Sequence, residues 1–153
     1  MSDGSAKPAD AAAEPSAPSV INLSNPEYFF NRELSQLAFN RRVLEQAADT
    51  AIPLLERLRF LTIAAGNLDE FFEIRVAGVK QQLALGLSQP RSDGLSAPEM
   101  LSRISDFAHQ LVNDQYRILN QDLLPALDEQ RVRIIKRRDW SSRVARWVKR
   151  YFT

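Results

Sequence analysis

The chain contains no cysteine, so neither a disulfide framework nor a thiolate metal site is open to it. Its one histidine, His109, stands between Ala108 and Gln110 with no partner motif, and a single imidazole cannot form a zinc constellation. Glycine is scarce. Gly4, Gly66, Gly78, Gly86 and Gly94 are isolated and match neither GxGxxG nor GxxxxGK followed by Ser or Thr, so the common phosphate-cradling loops are excluded. No apolar run approaches the roughly 18 residues that cross a bilayer. The N-terminus, MSDGSAKPAD, has acids and small residues where a signal peptide has a basic start and an apolar stretch. These absences predict a soluble, cytoplasmic protein without a partnered nucleophile and without a membrane span.

What remains is a chain of 153 residues, 44% apolar and 25% charged, which is the length and composition of one globular domain. The net charge of +1 conceals an asymmetry. Within residues 131–153 the bases Arg131, Arg133, Lys136, Arg137, Arg138, Arg143, Arg146, Lys149 and Arg150 face Asp139 as the sole acid.

Residues 1–24, rich in Ala, Pro, Ser and Asp, hold too little apolar surface to offset the entropy of ordering and are expected to be a disordered tail. The folded part is expected over 25–153. Leu34, Leu37, Ala38, Val43, Leu44 and Ala48 recur at helical spacing, with Ser35 as the expected N-cap. Pro53 opens a second helix through Leu54, Leu58 and Leu61 that should stop near Gly66. Asn67, followed by Asp69 and Glu70, then reads as the N-cap of a third helix, with Leu68, Phe72, Val76, Val79 and Leu83 on one stripe down to about Leu85. Residues 86–94 read as a loop.

Ser96 and Glu99 have capping-box spacing ahead of a long helix patterned by Met100, Ile104, Phe107, Leu111, Val112, Tyr116, Leu119 and Leu123, ended or kinked by Pro125. Residues 132–136, with β-branched Val132, Ile134 and Ile135, suggest a short extended segment or edge strand. Asp139 or Ser141 should cap a last helix over 142–151. An ending on a basic amphipathic helix suggests a domain truncated at its C-terminal end. The fold class expected is mainly α: a bundle of about four to five helices with a disordered N-terminal tail and one short extended segment near 132–136.

Few residues invite a chemical role. Asp69, Glu70 and Glu73 are open to a metal or acid–base reading, but acids in a first helical turn are what the helix dipole prefers. The basic end with Trp140, Trp147 and Tyr151 is open to nucleic acid, yet such a segment is more often a solvated face, or one that packs on another domain or carries a polyanion. Asn67 is read first as a cap. A helix start also offers free N–H donors and a side-chain amide to a ligand, and the two roles are compatible.

Four segments together carry a resemblance. Arg32-Glu33-Leu34-Ser35, the run from Phe39 through Asn40, Arg41 and Arg42 to Ala47, the run from Pro53 through Glu56 and Arg57 to Leu61, and Asn67-Leu68-Asp69-Glu70-Phe71-Phe72-Glu73-Ile74-Arg75-Val76 closely resemble the start of type-1 polyphosphate kinases. The likeness is strong over residues 28–82 and looser over 96–153. Gln36 stands where that family usually has Trp.

The resemblance implies a magnesium-dependent phosphotransferase, several times longer than this chain, that reversibly passes the terminal phosphate of ATP to polyphosphate through a phosphohistidine. It implies a helical N-terminal domain that contacts ATP and packs on the remaining domains of the same polypeptide, in a homo-oligomer. The phosphorylated histidine and magnesium ligands lie in the family's C-terminal half, so no catalytic or metal residue is assigned here, and the chain alone should be inactive. One ligand position carries over: the Asn of the NLDEF motif, which contacts ATP near its base, corresponds to Asn67. The alternatives are a free-standing interaction module whose basic last helix binds a partner or nucleic acid, and a stand-alone enzyme built on the acidic cluster and a metal.

Overall fold

The structure, a computed structural model, describes residues 22–87 and 91–152. Outside the described residues lie the expected tail, over residues 1–21, and residues 88–90 of the loop expected over 86–94. Helix α1 spans Arg32–Ala48. Its N-cap is Asn31, whose Oδ1 accepts the Leu34 N–H at 2.9 Å, and not Ser35, which sits exposed inside the first turn. The helix begins earlier than the apolar spacing predicts because Asn31 satisfies its orphan donors one turn sooner.

Helix α2, Leu54–Glu70, follows Pro53 and runs without a break through a wide π turn, Phe71–Val76, into α3, Ala77–Ala84. The expected stop at Gly66 and the new start at Asn67 are both absent. A glycine inside a helix costs about 1 kcal/mol relative to alanine. Carrying the helix across it aligns Leu61, Ala64, Leu68 and Phe71 as one buried stripe, and burial of two large apolar side chains outweighs that cost.

The second long helical stretch comprises α4, Ala97–Arg117, a π turn at Ile118–Leu123, and α5, Leu124–Glu129. Its start is the capping box read from the sequence: Ser96 Oγ accepts from the Glu99 N–H while Glu99 Oε2 accepts from the Ser96 N–H at 3.0 Å. Residues 132–136 run as irregular chain. No strand occurs among the described residues, so a β-branched run there has nothing to pair with. Helix α6, Ser142–Phe152, is capped by Ser141, whose Oγ accepts the Val144 N–H at 3.3 Å, and it buries no residue.

Helix α1 packs along α2, and α4 lies against both. The core between them is built from Leu37, Leu44, Leu61, Leu68, Phe71, Met100, Ile104, Leu111, Ile118 and Leu123. Buried Arg57 donates Nε–H to the Ala47 carbonyl at 2.9 Å, so a cation closes the C-terminal end of α1, where the helix dipole favours it. The start of α1 is tied to the loop before α4: Asn31 donates to Asp93 at 2.7 Å, and Arg91 reaches Glu33 at 2.6 Å and Asp93 at 3.5 Å. No described helix is long and apolar enough to cross a membrane.

Candidate nucleotide-contacting site

Helix α1 places a polar residue where its buried stripe calls for an apolar one. Leu37, Asn40, Leu44 and Ala47 fall at i, i+3, i+7 and i+10, and all four are buried, Asn40 with only 4% of its surface exposed. A carboxamide taken out of water needs partners. The first is the backbone carbonyl of Ala64 on α2, which accepts from Asn40 Nδ2 at 2.9 Å. The second is Asn67, one turn further along α2, which donates Nδ2–H to Asn40 Oδ1 at 3.2 Å.

These two bonds also settle the orientation of both amides. A carbonyl only accepts, so Asn40 turns its NH2 to Ala64 and therefore its oxygen to Asn67. Asn67 must then offer an N–H inward, and its own oxygen has no hydrogen-bond partner among the described residues. Asn67 is half-buried at the edge of a small pocket of about 140 Å³, lined also by Gln36, Leu37, Phe39, Asn40, Glu70 and Phe71.

The sequence reading of Asn67 thus changes in kind. In mid-helix its backbone N–H is spent inside α2, so neither a cap nor a cluster of free donors exists there, and whatever Asn67 offers a ligand comes from its side chain. The first-turn rationale for Asp69 and Glu70 falls with it. The acids are divided between two surfaces: Glu70 faces the Asn67 pocket, whereas Asp69 and Glu73 line a groove of about 580 Å³ with Phe72, Ser105 and His109. His109 is exposed, and its Nδ1 lies 2.7 Å from the Ser105 carbonyl, which makes Nδ1 the protonated nitrogen. Among the described residues no three of His, Cys, Asp or Glu stand together to hold a metal ion. Asn40 was not singled out from the sequence. The signal for it was there, a lone amide on an apolar stripe, but a polar residue at such a position acquires meaning only when its partners on α2 are known.

The polyphosphate kinase N-terminal domain model matches residues 29–135. A polyphosphate kinase of Pseudomonas syringae pv. tomato is 53% identical over 131 residues, 86% of this chain and 18% of that protein. The polyphosphate kinases of Xylella fastidiosa and Thermosynechococcus vestitus are 49% and 40% identical, covering 84% and 89% of this chain and 18% and 19% of theirs. The chain therefore spans about a fifth of the length of these relatives. No solved structure matches. With the match running from the turn before α1 past the end of α5, the chain belongs to the polyphosphate kinase N-terminal domain family.

Proposed function

We propose that this chain serves as the nucleotide-side, non-catalytic domain of a kinase that reversibly transfers the terminal phosphate of ATP to polyphosphate, and that Asn67 contacts ATP near its base. One observation carries the reading. On a domain without a phosphate loop, Asn67 is an amide with an unused oxygen, held in one orientation at the mouth of a pocket. The phosphohistidine and the magnesium ligands of the reaction are supplied by other domains of the same polypeptide, and no step of the transfer is routed through a group of this chain. The work belongs to the cytoplasm and to a homo-oligomer of the whole enzyme.

Helix α6 supports the packing half of the proposal. It buries nothing, yet Trp147 and Tyr151 stack with centroids 5.5 Å apart on an exposed aromatic stripe, which suits a face that further domains cover. The reading as a free-standing interaction module rests on that same helix alone.

The test is Asn67→Ala in the kinase that carries this domain. Loss of one amide contact of about 1 kcal/mol should raise KM for ATP roughly fivefold with less effect on kcat. Alanine is the best helix former, so the stability lost with the Asn40 contact should be partly returned. An unchanged KM would remove the nucleotide role of Asn67.

A further inference from the structure

The reading above assigns Asn67 a ligand but leaves open why its partner is another asparagine. A helix carbonyl such as that of Ala64 already has an intrahelical donor, so it does not require Asn40, and a leucine would fill a buried position on α1 with less desolvation. What Asn40 adds is direction. Its donor end is held by a group that can only accept, so its acceptor end is always turned to Asn67. Asn67 in turn gives one N–H to Asn40 and keeps its oxygen, with the second N–H, turned from Asn40.

We infer that Asn40 is a positioning residue that locks the amide of Asn67 so that the pocket prefers 6-amino over 6-oxo purine nucleotides; the inference rests on the proposal that Asn67 meets the base. A 6-aminopurine carries a donor at C6 beside a ring-nitrogen acceptor, the pattern that one carboxamide satisfies through its oxygen and an N–H together. A 6-oxopurine carries an acceptor at the same place. An outward amide oxygen would face that oxygen, lone pair against lone pair. An Asn67 free to rotate would escape the clash by exchanging oxygen for NH2, and it is this exchange that Asn40 forbids. Buried at 4% exposure and bonded to Ala64 and Asn67, Asn40 itself does not have to touch the nucleotide.

The experiment compares ATP with GTP in the polyphosphate kinase carrying this domain, at matched magnesium, and reads the ratio of their kcat/KM values. Asn40→Leu removes the oxygen that holds Asn67 and should lower the ATP preference about tenfold, as loss of one bidentate base contact does, with the change in KM and not in kcat. Asn40→Asp keeps an oxygen toward Asn67 but cannot donate to Ala64. It should therefore melt at a lower temperature and still hold the parent's preference. A purely structural Asn40 would give the opposite pattern, with preference following melting temperature. Should Asn40→Leu fail to fold by circular dichroism, Asn40→Ala removes the same oxygen without adding bulk, and the same fall is expected. Asn67→Ala separates the two levels. If it leaves KM for ATP unchanged, Asn67 does not meet the base and the inference goes with that reading. If it raises KM while Asn40→Leu and Asn40→Ala keep the parent's preference, the inference alone is overturned.

Discussion

The two long helical stretches, residues 54–84 and 97–129, depart from α geometry in the same way and for different reasons. In each, the buried stripe jumps by five residues where an α-helix steps by three or four: from Phe71 to Val76 in the first, from Ile118 to Leu123 in the second. In each, a backbone N–H reaches back five residues, Ala77 to Phe72 and Leu124 to Leu119. The second turn has a covalent cause close by. Pro125 has no N–H to give, its ring would press on the carbonyl four residues earlier, and the wide turn just before it makes room. The first has no proline. There the register changes because Phe71 and Val76 both have places in the core against α1 and α4, and only an inserted residue brings both inward.

The ends of the two stretches sharpen the contrast. Both close by the same hydrogen-bond pattern, Leu87 N–H to Gln82 O and Gly86 N–H to Leu83 O in one, Val132 N–H to Leu127 O and Arg131 N–H to Asp128 O in the other. The pivot residue takes positive φ in both, Gly86 at 67° and Arg131 at 61°. One stretch uses the residue suited to that conformation, and the other strains an arginine into it. Their starts differ as well: Ser96 makes a reciprocal capping box, whereas Pro53 makes no side-chain cap bond.

The largest expected effect tests the first π turn. Phe71 is 2% exposed and Phe72 39%, meeting edge to face at 5.8 Å. Phe71→Ala should cost about 3–5 kcal/mol in urea denaturation, and Phe72→Ala less than half of that. The reverse order would mean that the helix keeps α register and that the stripe read from the sequence, through Phe72, is correct. Next, Ser96→Ala should cost about 1 kcal/mol by loss of the cap, while Pro53→Ala at the uncapped start costs less. A smaller effect is expected at the two pivots. Arg131→Gly should stabilise by about 0.5–1 kcal/mol by relieving the left-handed backbone. Gly86→Ala should do the opposite, through torsion alone, since nothing lies within 4 Å of an added Cβ. Thermal melts of the pair returning the same sign would show that the two ends are not equivalent.

The smallest effect lies in the loop that joins the stretches. Burial pushes the pKa of Asp93 up, but the Leu95 N–H, the Asn31 amide and the charge of Arg91 outweigh it and hold the carboxyl below its ordinary value. A depressed folded pKa gives stability that is present above the ordinary carboxylate value of about 4 and is lost as pH falls below it. Denaturation midpoints followed into acid should show that decline in the parent and a flatter profile in Asp93→Asn.

How much of this was legible can be judged residue by residue. The helical class, the irregular chain at 91–95, the box at Ser96 and Glu99, the cap at Ser141 and the disturbance at Pro125 follow from side chains acting on backbone within a few residues, and these the sequence determined by itself. The motif from Asn67 to Val76 likewise marked the family. Tertiary structure decided that the chain stays helical across Gly66 and Asn67, that Phe71 and not Phe72 turns inward, and that Asn40 holds Asn67; the start of α1 at Asn31 and not Ser35 is a local cap, Asn31 Oδ1 to the Leu34 N–H, that the apolar spacing alone did not mark. The reason is one of scale. A cap or a helix propensity is worth about 1 kcal/mol, whereas seating Leu68 and Phe71 against α1 is worth several. Where the two conflict, the packing partner wins, and that partner lies on another helix, at a distance no local pattern reports.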